Sequence, residues 1–289
     1  MLLVKTLINR GVFLSLLLSS ITLSLSASPV DDITFPFKLI NGLIIFEAEI
    51  DGVEGAYLLD TGADAVIIDG EPTDTDQLIS TPNGDVASAS YQVSRLKIGN
   101  FVQHEIEVQL ISLSTLKEHL GIDLHGIIGG SYFMPNTLIM DFVNSTITIT
   151  ADPSSKRIDD ELNTIPFKMV NQIPVIEIEI EGKTYDFALD SGASVHFIDE
   201  QVIGQLESLS LLEEKSTVST LDHSNESSQR YVLNRFSLSS INFIGHHCLP
   251  LDFKAVNETL NQSISGILSI SQLAKDKVVF DLQNNTLYL

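Results

Sequence analysis

Two short stretches decide the fold: Leu59-Asp60-Thr61-Gly62-Ala63 and Leu189-Asp190-Ser191-Gly192-Ala193. Each follows a run rich in apolar and β-branched residues. Each precedes a second apolar run ending in Ile-Asp, at Ile68-Asp69 and Ile198-Asp199. The likeness extends outward from them. Pro36 to Asp69 aligns without a gap on Pro166 to Asp199, with 14 of 34 positions identical. At an offset of 140, Tyr91 and Arg95 match Tyr231 and Arg235, Gly126-Ile127 matches Gly266-Ile267, and Asp141 and Asn144 match Asp281 and Asn284. The chain is therefore an internal duplication. Each half supplies one aspartate on a tight glycine turn, which predicts a site where the two meet on a pseudo-two-fold axis. Carboxylates that close do not both ionise readily, so they share a proton, giving one base and one acid.

The strand pattern is that of an all-β protein. Phe37 to Ile50 alternates apolar and polar residues, and Asp51-Gly52 marks a turn back into Ala56–Leu59. Tyr91–Ile98 and Phe101–Ile111 read as strands joined at Gly99-Asn100. A helix is expected over Thr115–Leu120, with Thr115 and Glu118 at capping-box spacing and Gly121 ending it. The ten residues by which the second copy is longer fall between Asp199 and Tyr231. A helix over Glu200–Leu212 and a polar loop over Asp222–Arg230 are expected there, since lengthening a loop costs little. The expected organisation is a leader over 1–27, a first lobe over 28–150, a linker over 151–164 and a second lobe over 165–289.

The leader has a basic start, Lys5 and Arg10, then an apolar run Val12–Leu25, then small residues at Ser24, Ser26 and Ala27. That run of about 14 residues is shorter than the roughly 20 that a membrane span needs, so a cleaved export signal is expected. The alternative for this segment is an uncleaved signal anchor, and no other membrane association is expected. The expected location is periplasmic or secreted. With Cys248 as the single cysteine, no intrachain disulfide can form. The formal net charge of −22 argues against nucleic acid and anionic membrane surfaces as partners. His246-His247-Cys248 has adjacent ligand types, but on a strand these alternate between faces, so no metal site is expected.

These turns and their downstream partners resemble the retropepsin-like branch of the aspartic proteases. Besides the two Asp-Thr/Ser-Gly-Ala turns, Ile127-Ile128-Gly129 matches the family's strand behind the aspartate loop. The second copy departs, reading Ile267-Leu268-Ser269. The resemblance covers about Phe35 to Leu289 and implies a two-lobed acid-protease fold, a tandem of retropepsin-like β-barrel lobes in one chain. It implies an aspartic endopeptidase with Asp60 and Asp190 holding a water between them, and no metal or organic cofactor. Thr61, Gly62, Ser191 and Gly192 would support the loops, the hydroxyls by cross-linking them and the glycines by permitting the turn. A polypeptide would lie extended between the lobes beneath hairpin flaps, at about Ile79–Arg95 with its tip near Asn83-Gly84, and at about Ser216–Arg235. A monomer is expected, since one chain carries both copies. The alternative is a catalytically degenerate periplasmic peptide-binding protein of the same fold, with Ser269 pushing Asp190 off its geometry. Asp69, Asp199, Asp141 and Asp281 are expected to cap, form turns or pair with Arg95 and Arg235, and Tyr91 and Tyr231 to pack at the flap bases.

Overall fold

Leu43–Ile50 and Ile173–Ile180 are buried on both faces over their first four residues and then alternate, with the glutamates facing outward and the intervening apolar residues inward. The structure, a computed structural model, describes residues 32–72, 77–81, 84–151, 162–219, 225–260 and 262–289. The expected leader, most of the linker and the first flap tip at Asn83 lie outside them.

The first repeat contains β1 (Ile33–Ile40), β2 (Leu43–Ile50), β3 (Val53–Asp60), β4 (Val66–Asp69), β5 (Gln77–Thr81) and β6 (Gly84–Ile98). It continues through β7 (Phe101–Ile111), α1 (Ser114–Leu120), β8 (Leu124–Gly129), β9 (Thr137–Asp141) and β10 (Thr146–Thr150). The second contains β11 (Thr164–Pro166), β12 (Lys168–Val170), β13 (Ile173–Ile180), β14 (Lys183–Asp190), β15 (His196–Asp199), α2 (Glu200–Ile203) and β16 (Leu209–Ser219). After it come β17 (Asn225–Leu238), β18 (Ile241–Leu251), α3 (Lys254–Leu260), β19 (Gly266–Ser269), α4 (Ile270–Leu273), β20 (Lys277–Asp281) and β21 (Thr286–Tyr288).

Each repeat closes a six-strand barrel. In the first the order is β2-β3-β8-β4-β7-β6, shut by pairing of β2 with β6 at Glu49↔Lys97. In the second it is β13-β14-β19-β15-β18-β17, shut at Glu179↔Ser237. Closure removes exposed strand edges within each lobe. The lobes share a sheet, β11-β21-β20-β9-β10-β1, to which each repeat contributes three strands. At its centre β9 pairs antiparallel with β20, and Ile139 lies opposite Val279, its own repeat equivalent. The pseudo-two-fold axis passes there. The protein is thus a two-lobed tandem of barrels in one all-β fold.

Three features differ from the sequence reading. α1 starts one residue early, at Ser114, with Leu113 as its cap; a leucine side chain has no acceptor, so no side-chain capping bond forms, and the Leu113 amide donates to Asp69 Oδ1 at 2.8 Å. Gly121 ends it in the left-handed region, φ 66°. The expected helix over Glu200–Leu212 is a single turn, α2. From Leu209 the chain is strand, because Leu209, Leu211 and their neighbours pair with Leu233, Val232 and Tyr231. The polar stretch after residue 222 is likewise strand from Asn225, so the extra residues lengthen a hairpin instead of a loop. Both flap candidates are hairpins, β5–β6 and β16–β17.

Asp69, Asp199, Asp141 and Asp281 cap and form turns. Asp199 caps α2 through the Gln201 amide, Asp141 binds the Asn144 amide, and Asp281 binds those of Gln283 and Asn284. Their hydrogen bonds go to backbone amides, to Asn144 and Asn284 and, from Asp69, to Lys117, not to an arginine. Arg95 pairs with Glu49 and Arg235 with Asn242 instead. Tyr231 is partly buried against the core, whereas Tyr91 is exposed and does not serve as a packing residue.

One apolar cluster takes one face of the strands of both barrels together with the shared sheet; a smaller one in each repeat packs the opposite face of some of those strands against α1 or α3. Phe280, on β20, is fully buried and stacks on Phe167 with ring centroids 5.0 Å apart. Phe280→Ala is expected to cost about 3–5 kcal/mol in urea unfolding, against less than about 0.5 kcal/mol for Val143→Ala at an exposed site.

Candidate active site

Asp60 ends β3 and Asp190 ends β14, and each strand lies parallel to the strand behind it, β8 or β19. The chain then turns sharply into β4 or β15. Residues on those strands are apolar and fully buried, among them Leu58, Leu59, Ala188 and Leu189. The aspartates are therefore held on a rigid, dry floor, and both are wholly buried.

The two turns are tied to each other across the axis. The Thr61 amide donates to Ser191 Oγ at 3.0 Å, and the Ser191 amide donates to Thr61 Oγ1 at 3.0 Å. Each hydroxyl then donates onward to the opposite strand: Ser191 Oγ to the Leu59 carbonyl at 2.8 Å, and Thr61 Oγ1 to the Leu189 carbonyl at 3.3 Å. Four buried bonds thus cross between the repeats in a reciprocal pattern. A hydroxyl is required at both positions because it both accepts and donates.

Within each turn, the glycine amide binds the aspartate that precedes it. Gly62 donates to Asp60 Oδ1 at 2.9 Å, and Gly192 donates to Asp190 Oδ1 at 2.6 Å. The second oxygens, Asp60 Oδ2 and Asp190 Oδ2, are buried without a hydrogen-bond partner among the described residues. The glycines have a reason the turn alone does not supply, since neither is among the positive-φ residues. A Cβ on Gly192 would sit 2.6 Å from Asp60 Cγ, and one on Gly62 would sit 2.8 Å from Asp190 Cγ. Each carboxyl group lies over the opposite glycine, and only a residue without a side chain admits it.

Burial pushes both carboxyls up. Asp190 rises from the ordinary 3.8 to about 6, chiefly by burial, with the glycine amide bond opposing. Asp60 rises well above that ordinary value, by burial first and then by the Asp190 charge. The two titrate as a pair, and a single proton shared between them is the favoured state between the limbs.

The second repeat keeps this geometry although Ser269 stands where Gly129 does in the first. Asp190 retains its glycine bond and its half of the reciprocal lattice. The Ser269 position therefore does not push Asp190 away from the arrangement seen at Asp60. His196 and Gln272, which the sequence reading passed over, lie beside it. His196 is fully buried; its Nδ1 accepts the Ser269 amide at 3.0 Å. The signal was available in the alignment, which puts His196 opposite Val66. His246 is engaged by His196 at 3.1 Å, while Cys248 is buried and His247 exposed.

Two barrels meeting at paired aspartate turns define the class of the pseudo-symmetric acid proteases. The sequence-family model described as aspartyl protease matches residues 46–132 and 176–271, once in each repeat and over more than half the chain. The chain belongs to that family. Comparison with curated proteins returns no match.

Removing the Ser191 hydroxyl in Ser191→Ala strands the Thr61 amide and the Leu59 carbonyl in a dry interior. The expected cost is about 1–3 kcal/mol per group left unpaired, read from denaturant unfolding. A second expectation concerns pH. The folded state holds protons on this pair more tightly than the unfolded chain does. Its stabilising contribution is complete below 3.8 and is lost as pH rises through about 6 for Asp190, and further for Asp60. Asp190→Asn removes the second charge, so its thermal midpoint should exceed wild type at neutral pH. The gap should shrink as pH falls toward about 4, and a gap independent of pH would contradict the raised carboxyl.

Proposed function

We propose that this protein is an aspartic endopeptidase which hydrolyses peptide bonds with a water activated between Asp60 and Asp190. The observation that carries the reading is the pair of buried carboxyls over the axis, each with one oxygen bonded to its loop and one left for a reacting molecule. Acid proteases are themselves the standing case of one proton shared by two aspartates, so that part of the logic is the family's.

The steps follow from the shared proton. The ionised carboxylate takes a proton from the water as the water oxygen attacks the scissile carbonyl carbon. The protonated partner donates its hydrogen to the carbonyl oxygen and stabilises the charge developing there. Collapse of the tetrahedral intermediate breaks the C–N bond; the amine leaves with a proton delivered from the pair, and a hydroxyl of the intermediate returns its proton to the pair as the C=O bond re-forms. One carboxylic acid and one amine result, and the pair again holds a single proton. The Gly62 and Gly192 amides keep each Oδ1 oriented, which holds both carboxyls in place without reorganisation.

A polypeptide substrate fits the two long hairpins, β5–β6 and β16–β17, whose strands offer backbone pairing to an extended chain. Both aspartates come from one chain, which supports a monomeric enzyme. The basic, apolar, small-residue leader supports export to a periplasm or exterior. No helix of the described residues is long and apolar enough to cross a membrane. The reading needs no metal or organic cofactor, because the pair supplies both acid and base.

Asp60→Asn and Asp190→Asn are each expected to abolish cleavage of a mixed peptide library across acidic to neutral pH while far-UV circular dichroism stays unchanged. Turnover per mole of wild type should not change on dilution. Peptides that bind in the groove yet are never cut would select the alternative, a binding protein of the same fold.

A further inference from the structure

The two lobes support their aspartate loops by different means. In the first, the Gly129 amide donates to the Ala65 carbonyl at 3.0 Å. That contact is close: a Cβ on Gly129 would fall 2.6 Å from the Ala65 carbonyl oxygen and 2.7 Å from that of Ala63. The adjoining ladder β4–β8 runs on to Val66↔Ile128. In the second lobe the equivalent ladder β15–β19 stops one pair earlier, at Phe197↔Ile267. The strands part where Ser269 carries its side chain.

Three side chains fill in for the parted backbone. His196 Nδ1 takes the Ser269 amide at 3.0 Å. Ser269 Oγ caps α4 by accepting the Gln272 amide at 3.4 Å. Gln272 Nε2 donates to the Ser194 carbonyl at 3.2 Å, where in the first lobe Ser131 Oγ donates to the Asp64 carbonyl at 2.8 Å. Ser269 itself pairs with Asp190 across β14–β19. The amide that His196 holds is thus one residue's breadth from the loop that presents Asp190.

We propose that His196 is the positioning residue of the Asp190 loop, its neutral imidazole accepting the Ser269 amide in place of the backbone carbonyl that serves the first lobe. The hydrogen bonds fix its tautomer. An N–H donated to Nδ1 requires a bare Nδ1, so the ring proton lies on Nε2 and is donated to His246 Nδ1 at 3.1 Å. The ring also packs edge-on against Phe236 and lies within 25° of parallel to the His246 ring, as an N–H···N bond between the ring edges requires. Burial, with the neighbouring His246, pushes His196 down to about 3, which keeps the acceptor free over the working range of an acid protease. In the first lobe the corresponding residues are Val66 and Ile106, apolar side chains that leave the backbone to do this task. The Gly-to-Ser change at 269 and the histidine at 196 form one compensating pair.

Long-range 1H–15N correlation spectra of the full-length protein at neutral pH test the tautomer. A protonated Nε2 and a hydrogen-bonded, unprotonated Nδ1 on His196 are expected; a proton on Nδ1 would overturn the assignment. A double-mutant cycle tests the pairing. His196→Val should lower stability in the presence of Ser269, and adding Ser269→Gly should recover most of the loss by restoring the first lobe's arrangement, whereas additive effects would refute it. His196→Asn places an amide oxygen near Nδ1 and should stay close to wild type. If His196→Val does not fold, the double variant and His196→Asn still decide, since failure of both to recover wild-type behaviour would also refute it. The kinetic consequence rests on the peptidase reading: kcat of His196→Val should fall about tenfold or more with KM nearly unchanged, and recover in the double variant. If wild type cuts no peptide, that reading fails, while the tautomer and the stability cycle still judge the role of His196.

Discussion

Two buried carboxyl groups, each over the other's turn, are the constraint on which the rest of this structure depends. Burial alone disfavours the ionised form of each, and proximity disfavours a second charge. Such a pair persists only where the surroundings leave it no route apart. The Thr61 and Ser191 lattice supplies that restraint at the turns, with four buried hydrogen bonds crossing the axis. The shared six-strand sheet supplies it at the base, with Ile139 against Val279 on the same axis. Between these two ties the barrels are closed and apolar, so displacement of one aspartate would have to break buried bonds or open a core.

The glycines belong to the same constraint. Gly62 and Gly192 are not needed for an unusual backbone angle; they are needed because a carboxyl group occupies the place of their missing side chains. This links the halves more tightly than the sequence repeat suggests. Each lobe's glycine is selected by the other lobe's aspartate, so neither turn is complete without its partner.

Much of this was legible in the residues. The duplication, the alternating strands and the paired Asp-Thr/Ser-Gly turns pointed to two β lobes meeting at Asp60 and Asp190. What failed had local causes. The helix expected from Thr115 begins one residue early, with Leu113 as its cap and the Leu113 amide held by Asp69, a residue distant in sequence. The apolar spacing of Glu200–Leu212 suits a helix, but Leu209 and Leu211 gain more by pairing with β17 in a hairpin. The glycines were read for their conformational freedom, since a contact with a residue 130 positions away leaves no mark at the glycine itself. His196 was overlooked because a lone histidine on an apolar strand ordinarily means core packing.

His196 also shows what covalent fusion permits. In a symmetric dimer of identical chains, every substitution appears twice on the axis, so a serine at the Gly129 position would disturb both loops at once. Here the first lobe keeps Gly129, Val66 and the backbone bond to Ala65, while the second carries Ser269, His196 and Gln272. The aspartates nevertheless receive the same glycine amide and the same hydroxyl lattice. Symmetry is preserved at the two carboxyls and the groups bonded to them and relaxed one layer behind. A difference in that layer is also a difference in the field around Asp190, because a fixed imidazole dipole stands where the first lobe has a valine. The two carboxyls are thus chemically inequivalent, and the shared proton is not divided evenly between them.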